Sequence, residues 1–508
     1  MFLGKPLFGD GTHRICGVAA ASTAREMRIL LRRALRLTPT VEVRLDWLQN
    51  DQEREKFLDS LKRARLEKAV LLATCRRRIG GGEFSGDAGA ELFWLMKARA
   101  AGFQWCDLEI ETLRELPGES VRGYAVPEKV LLSIHDFRRT PRLPQKIDVP
   151  PRGGVDGIKV AAMARCIGDS VRLLEWVRKA RQAVVVPMGE MGLPARILAL
   201  REGSALVYAP VAVATAPGQV HLRELKELYR AHRLTRRTQV YGVIGNPIGH
   251  SLSPLLHNTG YIAARRDAVF LPFLVERLED FLKAVPKFGV RGFSVTLPHK
   301  EAVFRRLDEC EPQAAKIGAV NTVTVRRDGS LYGSNTDYLG VLRALEKKMK
   351  LPGRCVLIVG AGGSARAAAF AMAKAGAQVF VCARRDIAAR KLARAVGGEV
   401  VPRAALRKSK FDAILNATPV GMHPQVGASP LAADELNCSL VLDLIYRPLQ
   451  TKLLQVASDR GLQTVSGVEM FLAQGIAQWE HWMGSRAPEP VMRKAVLAEL
   501  KAKEKSQR

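Results

Sequence analysis

Lys159 stands in Gly157-Ile-Lys-Val-Ala161, an apolar run that carries a single amine. Burial among hydrophobic neighbours and near arginines favours the neutral form of an amine, and a neutral amine can attack a carbonyl carbon to form a Schiff base. Removing a proton beside such an adduct needs a second group that titrates near neutrality. His135, in Ser133-Ile-His-Asp-Phe137, is the obvious partner. Taken singly, the lysine reads as a snorkelling side chain and the histidine as a satisfied core residue. Their placement relative to one another decides between the two readings, so the elements that carry them come next.

Short β-rich runs recur about every 20 to 35 residues through the first half, the spacing of a strand and a returning helix. They cover Ile15–Ala20, Thr40–Asp46, Ala69–Cys75, Trp105–Ile110, Val130–His135, Val155–Val160, Ala183–Met188 and Leu206–Val213. Between them, Ala88–Ala101 and Ser170–Ala180 repeat apolar residues three and four apart, as helices do. Eight such units close into a (β/α)8 barrel, whose reacting groups sit at the carboxyl ends of the strands. Lys159 and His135 then lie on neighbouring strand ends. Glu42, Arg44 and Asp46 share one face of the second strand, Arg76 follows the third, Glu109 lies on the fourth, and the eighth leads to Thr215. So many ionisable groups facing a barrel interior are costly unless they serve a site.

The second half carries Val356-Leu-Ile-Val-Gly-Ala-Gly-Gly-Ser-Ala-Arg366, an apolar strand running into glycines and an alanine-rich helix. Gly360, Gly362 and Ala365 fit G-x-G-x-x-G/A, in which small residues permit a tight turn and close approach of a pyrophosphate to free N–H groups. The residues Gly360, Ala361, Gly362, Gly363, Ser364 and Ala365 are therefore expected to bind a dinucleotide. The next strand, Gln378–Ala383, ends in Arg384-Arg385 instead of an acidic residue, which predicts NADP(H) over NAD. Asn416-Ala-Thr-Pro-Val-Gly-Met422, after a further apolar strand, is placed as a loop over the nicotinamide.

At 508 residues the chain exceeds what one core supports, and 47% hydrophobic with 25% charged residues is a globular composition. A charged, helix-forming segment, Leu222–Arg233, precedes the fresh strand at Val240, which puts the boundary near residue 235. No stretch reaches the roughly 18 apolar residues of a membrane span, and Met1–Arg14 lacks the features of a signal or transit peptide. Eight cysteines, scattered singly with no metal-binding spacing, suit reduced thiols in the cytoplasm and no metal. The net charge of +29 raises nucleic acid as a partner, but the arginine doublets are dispersed and aromatic residues are only 6%. A solvated basic surface that also draws anionic substrates accounts for it.

Residues from about 13 to 225 resemble the type I 3-dehydroquinate dehydratases, through Glu42-Val-Arg-Leu-Asp46, Ser133–Phe137, Gly157–Ala161 and Ala216-Pro-Gly-Gln219. The resemblance implies that Lys159 forms the imine with the substrate ketone and that His135 moves the protons. It also implies that Glu42, Arg44, Arg76, Arg196, Thr215 and Gln219 hold carboxylate and hydroxyls. The family usually has serine where this chain has Thr215, and often serine in place of Gly17, a change that removes a possible hydrogen bond to substrate.

Residues from about 239 to 500 resemble shikimate dehydrogenase. The matching phrases are Gly245-Asn-Pro-Ile-Gly-His-Ser-Leu-Ser-Pro254, Val295-Thr-Leu-Pro-His-Lys300, Gly318-Ala-Val-Asn-Thr322, Gly333-Ser-Asn-Thr-Asp337, Asp443–Tyr446 and Gly467–Gln474. This implies a catalytic pair, Lys300 and Asp337, both expected in loops. Ser251, Ser253, Thr296, Asn321, Tyr446 and Gln474 are implied around the substrate, with Asn416, Thr418, Leu444 and Gly467 at the cofactor. The expected organisation is a barrel over 1–234, then a substrate domain over 235–339 plus 467–508, and a Rossmann domain over 340–466. Dehydration of 3-dehydroquinate to 3-dehydroshikimate followed by reduction to shikimate is the implied chemistry. Two rivals stand beside it: a quinate- or NAD-preferring variant, and a metabolite-sensing regulator built on the same folds. Oligomeric state is not legible.

Overall fold

Every β-rich run expected in the first half forms a strand within a few residues of its predicted bounds. They are β1 (Ile15–Ala19), β2 (Thr40–Arg44), β3 (Val70–Thr74), β4 (Trp105–Glu109), β5 (Lys129–Asp136), β6 (Gly157–Met163), β7 (Ala183–Met188) and β8 (Val207–Pro210). The computed structural model describes residues 7–507 apart from 63, 65, 67, 117–120, 144–153, 181, 213–217 and 424. All eight strands run parallel in the order β7-β6-β5-β4-β3-β2-β1-β8. The Ala205 N–H bonds to the Ala183 carbonyl at 2.8 Å, bringing the start of β8 beside β7 and rounding the sheet into a barrel.

Alternation sorts the side chains. Cys16, Val18, Leu72, Trp105, Leu131, Ala161, Val184 and Tyr208 pack together in the interior. Val160, Ala162 and Val185 point the other way, onto helices Ile167–Lys179 and Leu193–Glu202. Each large apolar side chain so buried contributes roughly 1.5–3 kcal/mol.

Gly17 departs from its expected role. A Cβ there would meet Leu222 Cδ2 at 3.0 Å and Ala34 Cβ at 3.2 Å, so this position faces the outer helices and a serine would not reach the interior. The helix expected over Leu222–Arg233 is also broken. A π-helical turn, Glu224–Leu228, gives way at Arg230, whose φ of 49° lies in the left-handed region, to a 3-10 turn, Ala231–Arg233.

Two compact units make up the chain, Met1–Gln239 with Phe273–Phe288, and Val240–Pro272 with Gly289–Arg508. Beyond the barrel come β9 (Gln239–Gly245), β10 (Ala268–Leu274), β11 (Val290–Val295), β12 (Glu309–Cys310), β13 (Thr322–Val325) and β14 (Leu331–Ser334). Their order is β10-β9-β11-β13-β14-β12, with β13 antiparallel to both neighbours. A last, all-parallel sheet has the order β17-β16-β15-β18-β19-β20. Its strands are β15 (Cys355–Val359), β16 (Gln378–Cys382), β17 (Glu399–Val400), β18 (Ala413–Asn416), β19 (Leu440–Asp443) and β20 (Gln463–Val465). Strand order reverses at β15, where a crevice opens at the carboxyl ends. The alanines of helix Gly363–Lys374 let it pack closely on this sheet, with Ala365, Ala368, Ala369 and Met372 against Val356, Ile358 and Val381.

Candidate active sites

Parallel pairing places Glu109 opposite Ser133 and Ser133 opposite Lys159, so three adjacent strands deliver a polar cluster to one level of the barrel. The Lys159 ammonium donates to the Asp107 carboxylate, and both residues are at most 3% exposed. Asp107 also accepts from the Ser133 hydroxyl at 2.7 Å and from Arg76 at 3.2 Å. Arg76 Nε donates to Glu109 at 2.5 Å, and the other Glu109 oxygen lies 3.0 Å from His135 Nδ1. Gly80 leaves room for this pairing, since a Cβ there would come within 3.3 Å of Glu109 Oε2. The Tyr208 ring centre is 5.0 Å from Lys159 Nζ.

The charges settle one another. Burial works against ionisation of Asp107, yet Lys159, then Arg76 and His135, hold its carboxyl well below the usual range. Glu109, also against burial, is drawn down to about 2, chiefly by Arg76 and His135. Burial and then Arg76 push His135 down to about 4, with Glu109 pulling the other way. At neutral pH the imidazole is therefore uncharged. A carboxylate on Nδ1 fixes the tautomer that leaves the Nε2 lone pair free to accept a proton.

Of the remaining expected residues, Glu42 and Arg44 lie within electrostatic reach of Arg76. Glu42 accepts the Thr74 hydroxyl at 2.7 Å. Arg44 grips Asp46 with two bonds of 2.9 and 2.7 Å, Asp46 lying in the turn Leu45–Trp47 that follows β2. Arg196, on helix Leu193–Glu202, donates twice to the Pro187 carbonyl near the end of β7, and burial lowers its guanidinium to about 10. Gln219 is half-buried; Thr215 lies outside the described residues. Asp107, Ser133 and Tyr208 escaped the sequence reading. The face of Asp107 was available to it, two residues before Glu109 and hence on the same side of the strand.

Lys300 and Asp337 do not sit in loops, as expected, but each begins a helix, Lys300–Phe304 and Asp337–Glu346. Helix geometry brings them together at 2.5 Å. Asn321 Nδ2 donates to the other Asp337 oxygen at 2.7 Å and stands 3.4 Å from Gln474 Oε1. Its Oδ1 accepts the Thr336 N–H at 2.7 Å, which orients the side-chain amide. Ser251 and Tyr446 share a side-chain hydrogen bond, and burial pushes the Tyr446 phenol up. Ser251 Oγ also accepts the N–H of Ser253, the first residue of helix Ser253–Ala263, at 3.3 Å. Tyr446 stacks on Phe471 at 4.5 Å, and Thr296 continues β11 with its N–H on the Ile244 carbonyl at 3.0 Å. Thr336 is a site neighbour that sequence reasoning missed, and Ser364, expected only at the cofactor, also accepts from Lys300 Nζ at 3.2 Å.

At the crevice, Gly360 has a φ of 118°, and a Cβ there would lie 3.1 Å from the Ala417 carbonyl oxygen. Ala361 leads to Gly362, the amino cap of helix Gly363–Lys374, over which the space is open. Ala365, within that helix, is fully buried. Arg384 and Arg385 are exposed and have no ion-pair partner among the described residues, so both are available to an added phosphate. Asn416 donates to Asp443 at 3.0 Å and accepts from the Thr418 hydroxyl at 2.7 Å, shaping the loop that follows β18. Asp443 is buried, which lifts its carboxyl to about 6, and Leu444 follows it. Gly467 opens helix Gly467–Met483, and a Cβ there would meet the Ile445 carbonyl at 2.6 Å. Open space at a helix amino terminus, backed by free guanidinium groups, fits a dinucleotide carrying an extra phosphate. No group of histidine, cysteine and acidic residues among the described residues could hold a metal ion.

A barrel that sets a lysine beside a neutral histidine, followed by a dinucleotide-binding sheet and a lysine–aspartate pair, defines a lyase joined to an oxidoreductase. The type I 3-dehydroquinase family matches residues 15–235, and the shikimate dehydrogenase substrate-binding and carboxy-terminal domains match 243–323 and 467–497. The chain is 34% identical to the bifunctional 3-dehydroquinate dehydratase/shikimate dehydrogenase, chloroplastic, of Arabidopsis thaliana, over 93% of this chain and 82% of that one. It is 39% identical to shikimate dehydrogenase (NADP(+)) of Bacillus cereus, over 52% of this chain and 99% of the relative. A shikimate dehydrogenase solved in complex with NADP+ superposes with a TM-score of 0.50 at 33% identity, covering 53% of this chain and 97% of that structure. The chain thus belongs to the bifunctional 3-dehydroquinate dehydratase/shikimate dehydrogenases, enzymes of the shikimate pathway that pair a lyase with an NADP-dependent oxidoreductase. No helix among the described residues is long and apolar enough to cross a membrane.

Proposed function

We propose that Lys159 and His135 carry the dehydration of 3-dehydroquinate, and that Lys300 and Asp337 carry the reduction of 3-dehydroshikimate to shikimate. The observation that supports this most is the pairing of a buried lysine with a neutral, carboxylate-anchored imidazole on adjacent barrel strands. Lys159 passes one ammonium proton to His135 Nε2, its amine adds to the ketone, and the carbinolamine oxygen takes that proton and leaves as water, giving an iminium that acidifies the neighbouring C–H bond. His135 accepts that C–H proton at Nε2, and the electron pair expels the β-hydroxyl, which departs as water with the proton His135 returns. Hydrolysis then frees the lysine. Asp107 stays ionised throughout as the counter-charge, while Arg44, Arg76 and Arg196 suit a carboxylate because a guanidinium binds it with paired hydrogen bonds.

In the second half NADPH supplies a hydride to the ketone carbon. The alkoxide so formed needs a proton, and the Lys300 ammonium, held by Asp337, supplies it. Asn321 and Gln474 orient the hydroxyl-bearing ring, and Ser251, Ser253 and Tyr446 form a hydroxyl group set suited to the carboxylate. Arg384 and Arg385 support NADP over NAD. The proposed boundary between the two enzymes is near residue 235. The eight cysteines are free, which supports a reducing compartment such as the cytoplasm.

One assay tests the whole. With 3-dehydroquinate and NADPH supplied together, nicotinamide absorbance falls only if both halves act. Consumption with 3-dehydroshikimate but not with 3-dehydroquinate would remove the dehydratase assignment and leave the dehydrogenase one.

A further inference from the structure

The catalytic lysine of the second half touches the nucleotide-binding turn directly. Lys300 Nζ donates to Ser364 Oγ at 3.2 Å in addition to its bond with Asp337. Its stem lies over the same turn, since a Cβ on Gly363 would meet Lys300 Cδ at 3.2 Å and Cβ at 3.3 Å. Ser364 is the second residue of helix Gly363–Lys374, the helix whose amino terminus faces the open space over Gly362. A hydroxyl has two lone pairs and one proton. With a lone pair of Ser364 already taken by the ammonium, its O–H is left to donate, and an anion at a helix amino terminus is the acceptor such a site gathers.

We propose that Ser364 is a positioning residue that couples cofactor binding to Lys300. It accepts from the lysine and donates to the cofactor's phosphate, so that each strengthens the hold on the other. Polarisation along a chain of hydrogen bonds runs in this direction, because accepting from a cation makes the hydroxyl a better donor. By linkage the effect is reciprocal: a phosphate at Ser364 fixes the ammonium where the alkoxide will form. The inference rests on the reading of Gly360–Ala365 as the dinucleotide turn, and no residue already given a catalytic role supplies this connection.

The test is a double-mutant cycle on NADPH affinity without substrate, read by quenching of protein fluorescence or by calorimetry on the full chain. The four proteins are the wild type, Ser364→Ala, Lys300→Met and the double variant, with thermal melting as a check that each is folded. The expected result is that Ser364→Ala weakens NADPH binding several-fold when Lys300 is present, and by a factor at least threefold smaller in the Lys300→Met background. Equal weakening in both backgrounds reduces Ser364 to an ordinary phosphate contact and overturns the coupling, as does no weakening in either. Wild-type protein that fails to bind NADPH at all would instead remove the cofactor reading on which the proposal stands. Ser364→Thr, which keeps the hydroxyl, is expected to restore at least part of the coupling.

Discussion

Asp107 shows how much one side chain can decide. It neutralises Lys159 and Arg76 where both cations are buried, and removing a single partner from a buried pair typically costs about 3–5 kcal/mol. Asp107→Asn is therefore expected to lower the melting temperature of the barrel and to slow dehydration, while dehydrogenation of shikimate continues. Lys159→Met should cut dehydratase turnover by roughly 10³-fold or more and abolish trapping of a substrate adduct by borohydride. Retention of trapping at wild-type yield would dismiss Lys159 as the imine-forming residue. The histidine gives a prediction in pH. His135 is held at about 4 against an ordinary 6.5, so the folded chain binds this proton less readily than the unfolded one. Its contribution to stability is complete above about pH 6.5 and is withdrawn as pH falls toward 4. Glu109, drawn down from 4.5 to about 2, withdraws its own share below that, in the same direction. Urea unfolding followed by dehydratase activity should show a lower midpoint at pH 4.5 than at pH 7.

At the scale of elements, turns without side chains hold the sites in shape. A Cβ on Gly82 would lie 2.0 Å from the Arg76 carbonyl oxygen, in the turn between β3 and helix Ala88–Ala100. Gly82→Ala must displace the Arg76 backbone, and the expected outcome is a rise in KM for 3-dehydroquinate of about tenfold with the dehydrogenase untouched, measurable by separate assays of each half. The strands themselves were legible from alternation and spacing, because one face of each is apolar and the interval between them is constant. Period-two alternation put Glu42, Arg44 and Asp46 on one face of the second strand, and the barrel rule pointed to Arg76, Glu109, His135 and Lys159 at or near the strand ends. Periodicity failed where the chain leaves its regular path. Lys300 and Asp337 were expected in loops because glycine and proline surround them, yet a short helix starts at each and uses those residues to enter its first turn. The Leu222–Arg233 segment has helical composition but breaks at Arg230. Asp107 was missed for a different reason: its role depends on a lysine two strands farther along the sheet, and no local pattern reports the register that joins them. Gly17 looked like a lost contact because family likeness says what is absent, not which way the position faces.

On the scale of the whole molecule, two enzymes share one polypeptide and one excess of positive charge, +29 over 508 residues. Substrates and intermediate are carboxylates, so the summed field should speed their encounter with both sites and lose that effect in salt. The kcat/KM for 3-dehydroshikimate is expected to fall by several-fold between 20 and 300 mM salt (about one decade of ionic strength), with kcat nearly constant, as stopped-flow or initial-rate series would record. Flat kcat/KM across that range would assign the basic surface no part in capture. The barrel's charged interior has a consequence of another kind. Lys159, Asp107, Arg76 and Glu109 sit where a merely structural barrel carries branched aliphatic residues. Replacing the Lys159–Asp107 pair together by methionine and leucine, unlike deleting either alone, should leave an inert barrel that survives heating better than the working one. Reactivity here is a reserve of thermal endurance left unused.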